Sequence, residues 1–217
     1  MSKETAFLDE LEVDALTELV NIGVSRAAAS LRQMVGRQIL LSIPSIEITS
    51  YKEAASLMAE REIGSLVAVR QDFTGAFGGR AMLIFPEANS LALVRAVTGD
   101  ELEQAELEDL EEEALKETGN VVLTNCLATM ANMLRHPLEM SLPTVLRQDG
   151  QELFRQGGDP GDAGVVLFLY INFAISDHSI RGYLAVLMDM PSLEALKAVI
   201  ADFIARVVGP NAQASGG

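Results

Sequence analysis

The sequence is poor in the residues from which most metal centres and nucleophilic sites are built. It contains one cysteine, two histidines and no tryptophan. A single cysteine excludes a disulfide within the chain, and Cys126, inside an apolar helical pattern, is expected to be a small core residue. His136 and His178 have no Cys or His at ligand spacing. Phosphate-binding loops, dinucleotide fingerprints and nucleophile elbows are also missing.

Long apolar runs are absent as well. No stretch reaches the roughly 18 consecutive apolar residues that span a bilayer, and the N-terminus lacks the apolar centre of a signal peptide. We therefore expect a cytoplasmic protein without membrane insertion. With 49% hydrophobic residues the 217-residue chain can form a full core. We expect a single domain over residues 1–208 and a flexible tail over residues 209–217.

Basic residues are scarce, with 16 Lys and Arg against 31 Asp and Glu. Contacts with nucleic-acid phosphates need Lys and Arg, so the formal charge of −15 argues against a nucleic-acid partner. The acidic surplus is concentrated in residues 100–113, which contain no base. Two interpretations stay open. The stretch is either a linker and helix start, where acids complement the helix dipole, or a docking surface for a basic partner.

Apolar periodicity predicts an α+β fold with one order of elements in each half. Long helices are predicted at residues 9–35 and 109–135, each followed by three strand-like segments and a second helix. The strand-like segments are 38–51, 64–74, 79–85, 138–147, 164–174 and 179–188, and the closing helices are 87–98 and 191–207. Without intervening crossover helices, the strands should pair antiparallel. We expect internally duplicated helix-strand-strand-strand-helix halves, about 8–99 and 105–207, sharing one sheet.

One polar motif lies on each long helix. Each copy has a carboxylate, a glutamate four residues later, an asparagine three residues after that, and a proline beyond a further 22 residues. The members are Asp14, Glu18, Asn21 and Pro44 in the first copy, and Glu113, Glu117, Asn120 and Pro143 in the second. This spacing places the three helical members on one polar face. We expect both asparagines to be exposed and both prolines to occupy equivalent strand positions.

The pair of glutamate and asparagine suggests a partial active site. Asparagine is no base near neutral pH, but its amide both donates and accepts hydrogen bonds, which suits positioning of a water molecule. Glutamate can pair with a lysine on a partner or orient the asparagine. Such a site could act on a phosphorylated partner that supplies its own metal and cationic groups. An ordinary solvated helix face is the alternative.

The double motif resembles that of the CheC/CheX/FliY family of chemotaxis phosphatases, in which the pattern is Asp or Ser, x3, Glu, x2, Asn, x22, Pro. The first copy fits at every position, whereas the second has Glu113 where Asp or Ser is usual. Residues 18–28 and 75–86 also look like the family, and the resemblance covers about residues 8–205. Two intact motifs are most similar to the CheC branch.

The resemblance implies a phosphatase that hydrolyses the aspartyl phosphate of a CheY-like response regulator. It implies that Asn21 and Asn120 hold the attacking water, and that Glu18 and Glu117 contact a lysine of the partner. The chain would need no cofactor of its own, because the receiver domain would supply Mg²⁺. A CheD-like deamidase is a second implied partner.

Two other functions stay open. The fold could serve as a non-catalytic adaptor for a deamidase or a receiver domain, with its polar stripes used only for docking, or as a structural part of the flagellar switch. We expect a monomer, because two half-domains can bury their apolar faces against each other within one chain.

Overall fold

The computed structural model describes residues 7–36, 38–43, 46–98, 103–155, 164–175 and 178–208. Its elements follow one order twice: a long helix, two short strands, a helix, two longer strands and a closing helix. The first set is α1 (Glu10–Val35), β1 (Ile39–Ser42), β2 (Ile46–Ser50), α2 (Tyr51–Arg61), β3 (Leu66–Gly75), β4 (Gly79–Pro86) and α3 (Ser90–Thr98), with a 3₁₀ turn at Glu87–Asn89. The second set is α4 (Gln104–Leu134), β5 (Leu138–Met140), β6 (Thr144–Gln148), α5 (Gly150–Arg155), β7 (Gly164–Ile175), β8 (His178–Asp189) and α6 (Met190–Val208).

The α+β class and the antiparallel sheet are confirmed, but the predicted order of helix, three strands and helix was wrong. Each half has four strands, and the helices α2 and α5 interrupt them. Helix α2 begins at a capping box: the Ser50 hydroxyl accepts from the Glu53 N–H at 3.2 Å, and the Glu53 carboxylate accepts from the Ser50 N–H at 3.1 Å. Ser-x-x-Glu is a sequence signature of a helix start, so this signal was present and was missed.

The eight strands form one antiparallel sheet, in which the short strands of each half pair with a long strand of the other half. Strands β4 and β8 pair at the centre, flanked by β3 and β7. The short strands β1 and β2 pair with β7, and β5 and β6 pair with β3. Each half therefore completes its part of the sheet with strands from the other half, so neither half is a separate domain.

Helices cover both faces of the sheet. Side chains alternate along β3, so that Val67, Val69 and Phe73 pack in the larger core beneath the long helices α1 and α4. Leu66 and Ala68 point to the other face and pack in a smaller core with residues of α2 and α5. The two motif-bearing helices thus lie together on one face.

Helices α1 and α4 approach each other closely at Gly23. A Cβ placed on Gly23 would lie 2.8 Å from the Cα of Cys126, so only glycine allows this approach without a shift. Cys126 is buried in the contact, and burial raises the pKa of its thiol to about 12. Its burial confirms the prediction that Cys126 is a core residue.

Two hydrogen bonds between these helices repeat with the halves exchanged. Arg26 Nη1 donates to Thr129 Oγ1 at 3.4 Å, and Ser30 Oγ donates to Asn125 Oδ1 at 3.4 Å. The two motif copies are 99 residues apart, and the same offset relates Arg26 to Asn125 and Ser30 to Thr129. This exchange is what a twofold axis between α1 and α4 produces. Internal duplication stays a prediction, which these paired contacts support.

Candidate functional site

The first motif forms an exposed polar stripe on α1. Asp14, Glu18 and Asn21 are exposed, whereas the residues between them on the opposite face are buried in the core. The Asn21 backbone carbonyl accepts a hydrogen bond from Ser25 Oγ at 2.8 Å. Within the described part of the chain no hydrogen bond engages the Asn21 side-chain amide. Its oxygen and its NH₂ group are both open to solvent, as the sequence predicted.

The second motif is only partly exposed. Glu113 and Glu117 are exposed, but Asn120 is half-buried, which corrects the expectation that both asparagines are exposed. The reason is the preceding Gly119, which packs directly on the sheet. A Cβ at this position would lie 2.4 Å from the Cγ1 of Val69. Helix α4 therefore lies low over β3 and brings Asn120 against the strand.

Asn120 is held by a network that the sequence analysis missed. Gln71, on β3 and only 2% exposed, donates from Nε2 to Asn120 Oδ1 at 3.1 Å and to the Ser141 carbonyl oxygen at 3.0 Å. Thr124 Oγ1 donates to the same Asn120 oxygen at 3.2 Å. One signal for Gln71 was available, because it is the polar exception among the inward-facing residues of β3, between Val69 and Phe73.

Pro143, the motif proline within the described residues, does not lie on a strand. Pro143 lies in the connection between β5 and β6 and is half-buried, which corrects the expected strand position. Proline has no N–H to donate to a strand ladder, so a position between two short strands suits it. Pro44 lies outside the described residues. The loop before Pro143 is tied to β3, since the Ser141 N–H donates to the Asp72 carbonyl at 2.8 Å and Ser141 Oγ accepts from the Asp72 N–H at 2.9 Å.

Asp72 carries an ion-pair cluster next to Gln71, on the other face of β3. Its carboxylate contacts Arg70 at 2.7 Å and Arg80, its cross-strand partner on β4, at 2.9 Å. The hydrogen bond from Arg70, reinforced by Arg80, lowers the pKa of Asp72 below its ordinary value. The cluster joins β3 to β4 directly behind the second motif.

The acidic stretch of residues 100–113 belongs largely to a helix start. Helix α4 begins at Gln104, and the Glu106 carboxylate accepts from the Glu103 N–H at 2.9 Å, as in a capping box. Residues 99–102 lie outside the described residues. Most of the acids on this first part of α4 are exposed, so the docking interpretation stays a prediction. Glu111 is half-buried, and its carboxylate pairs with Arg147 at 3.0 Å.

Two other kinds of feature are absent from the described ranges. No helix there combines the length and apolarity required to cross a membrane. No group of three or more His, Cys, Asp or Glu side chains in those ranges is arranged to hold a metal ion.

Comparison with curated proteins finds relatives that match most of the chain at low identity. CheC1 of Halobacterium salinarum is 21% identical over 198 residues, which cover 90% of this chain and 98% of that protein. CheC of Bacillus subtilis, named as a CheY-P phosphatase, is 22% identical and covers 87% of this chain and 93% of its own length. FliY of Bacillus subtilis, named as a flagellar motor switch phosphatase, is 21% identical over 140 residues, 64% of this chain and 36% of FliY. No protein-family model matches.

Solved structures share the fold. FliY of Thermotoga maritima superposes with a TM-score of 0.71 at 19% identity, covering 90% of this chain and 98% of that one. The middle domain of FliM from H. pylori superposes with a TM-score of 0.58 at 9% identity, covering 88% and 99%. At these identities the likeness shows the fold alone.

Proposed function

We propose that this chain, a member of the CheC/CheX/FliY family, is a phosphatase that hydrolyses the aspartyl phosphate of a CheY-like response regulator. The names of the CheC and FliY relatives support this reaction. The observation that carries the proposal is the stripe of Glu18 and Asn21 on α1. It presents a carboxylate and an unengaged amide, one helical turn apart, on an open surface that a partner's active site can approach.

In the proposed reaction a water oxygen attacks phosphorus in line with the bond to the aspartyl oxygen. That bond breaks, the partner's carboxylate leaves, and inorganic phosphate keeps both protons of the water. The Asn21 oxygen accepts one hydrogen of the water and so aims an oxygen lone pair at phosphorus. A site without a nucleophile of its own can accelerate phosphoryl transfer by holding the attacking water in the geometry of in-line attack. Mg²⁺ and the phosphoryl group both belong to the partner.

Glu18 has a different role in this proposal. A carboxylate cannot usefully approach a phosphoryl group, because both are anionic. It can pair with a lysine or arginine beside the partner's phosphorylation site and so fix the register of docking. Glu117 is proposed to do the same at the second copy, beside Asn120, where the half-buried amide offers a less open surface.

The proposed partners and compartment come from the resemblance to the CheC/CheX/FliY family, and the proposed assembly comes from the sheet. A CheY-like receiver is the substrate, a CheD-like deamidase is a second partner, and the protein is cytoplasmic. We propose a monomer, because the short strands of each half pair with a long strand of the other half, so that the sheet forms within one chain. Light scattering that shows an obligate dimer at micromolar concentration would contradict this part.

The test is the decay of phosphate on the CheY-like receiver of the same organism after loading with acetyl phosphate. The wild type should accelerate the decay, and the double variant Asn21→Ala with Asn120→Ala should not. Asn132→Ala is a matched control, because it makes the same change at an exposed position of α4 outside the motif. Full activity in the double variant would show that the stripes are not the catalytic site. Binding without acceleration by the wild type would favour the adaptor.

A further inference from the structure

Gln71 is a buried amide in an apolar layer. Its neighbours on the inner face of β3, Val69 and Phe73, belong to the core beneath the long helices. Gln71 Nε2 has two acceptors, but its Oε1 is buried without a hydrogen-bond partner in the described part of the chain. Buried polar atoms in native proteins are nearly always satisfied. A glutamine at this position, against the site, calls for an explanation other than packing.

The chemistry of the contacts fixes the orientation of both amides. The Ser141 backbone carbonyl can only accept, so the Gln71 group facing it must be the NH₂ group. That same NH₂ group faces Asn120, which must therefore turn its oxygen towards Gln71. The Thr124 hydroxyl donates to this oxygen as well. A carbonyl oxygen has two lone pairs, and here both have a donor from the chain itself.

We propose that Gln71 is a positioning residue that restrains the second site by turning the Asn120 oxygen inward. The inference rests on the proposed function. In this orientation Asn120 offers the partner an amide that can only donate, and it cannot accept a hydrogen of the attacking water. Asn21 has no such restraint, because no hydrogen bond engages its side chain within the described residues. The two motifs then differ in chemistry although they share the same residue types.

The strand register shows why only one half carries the restraint. The two motif copies are 99 residues apart, and the same offset relates Ile46 on β2 to Val145 on β6. Ile46 pairs with Leu169 on β7, and Val145 pairs with Val69 on β3. Gln71 lies two residues after Val69, and Ile171 lies two residues after Leu169. Ile171 therefore occupies on β7 the place that Gln71 occupies on β3. Isoleucine has no group that could bind an asparagine amide.

The experiment isolates the second site in an Asn21→Ala background and adds Gln71→Met, which keeps the length of the side chain and removes its hydrogen bonds. We expect kcat to rise about 2- to 10-fold, the rate equivalent of one ordinary hydrogen bond, with KM unchanged. Thr124→Val, which removes the other donor, should act in the same direction. The matched control is Gln148→Met, since Gln148 pairs with Leu66 on the opposite face of the sheet.

A second background separates positioning from a structural role. With Asn120→Ala only the first site works, and Gln71→Met should then leave kcat unchanged. A change of equal size in both backgrounds would show a general effect on the fold and overturn the inference. If Gln71→Met leaves kcat unchanged or lowers it in the Asn21→Ala background, the inference is also overturned. A lower kcat would mean that Gln71 assists Asn120.

A readout independent of catalysis is the pair of Gln71 side-chain NH₂ protons in NMR. They should exchange slowly in the wild type and shift in Asn120→Ala. Protons that exchange freely in the wild type would overturn the inference without reference to any substrate. If the protons exchange slowly but the wild type dephosphorylates none of the receivers offered, the proposed function would be overturned instead. Gln71 would then be an orienting group of a docking surface.

Discussion

Gly119 of α4 rests on Val69 of β3 with no room for a side chain between them. A Cβ on Gly119 would meet three atoms of the Val69 side chain, the nearest at 2.4 Å. Glycine in a helix interior is unfavourable by about 1 kcal/mol relative to alanine, so its presence here serves the close approach. This contact sets how far α4 lies above the sheet and therefore how deeply Asn120 is buried.

The first prediction is that Gly119→Ala destabilises the protein by about 1–3 kcal/mol, because overpacking outweighs the gain in helix propensity. Denaturant unfolding measures this change. Val69→Gly removes all three clashing atoms, including the Cβ at 2.5 Å, so Gly119→Ala should cost much less in the Val69→Gly background than in the wild type. Equal costs in both backgrounds would show that the two residues do not constrain each other.

The sequence allowed the long helices, the polar stripes and the burial of Cys126 to be predicted, because each depends on periodicity along one element. The half-burial of Asn120 could not be predicted, because it depends on how α4 meets a strand some 50 residues away. Helix α2 was missed although Ser50 and Glu53 form its capping box. The strand-like residues on either side of α2 hide the short local signal that starts this helix.

The second prediction concerns the two asparagines separately. Asn21→Ala should lower the total dephosphorylation rate by more than half, and Asn120→Ala by less than half, because only Asn21 presents an unengaged oxygen to the partner. Binding of the phosphorylated receiver should change little in either variant, since an interaction formed only in the transition state alters kcat rather than affinity. Single-turnover kinetics give both quantities. A larger loss in Asn120→Ala would reverse the assignment of the main site.

The third prediction separates docking from chemistry. Glu18→Gln keeps the shape of the side chain and removes its charge, so KM should rise by up to about 5-fold, which is the range of an exposed ion pair. The rise should shrink as salt is added, because salt screens such pairs. Glu60→Gln is the control, since Glu60 is exposed on α2, across the sheet from the motifs. A KM that stays at the wild-type value at low salt would remove Glu18 from the docking surface.

The last prediction uses the ion-pair cluster behind the second motif. Hydrogen bonds from Arg70 and Arg80 lower the pKa of Asp72 in the folded protein. A carboxyl group whose pKa is lower in the folded state stabilises that state at pH values above its unfolded pKa, about 3.9. This contribution is lost as the pH falls through the folded pKa. Because the Asp72 side chain is 46% exposed, solvent screening limits the contribution to less than about 1 kcal/mol.

Asp72→Asn should therefore be less stable than the wild type near pH 7, and the two should converge as the pH falls below about 4. Urea unfolding at a series of pH values measures the difference. Asp109→Asn, an exposed change on α4, is the matched control and should show no such convergence. If the gap between Asp72→Asn and the wild type stays constant down to the lowest pH at which both fold, the cost comes from altered packing of the amide. The charge of Asp72 would then contribute nothing to the joining of β3 and β4.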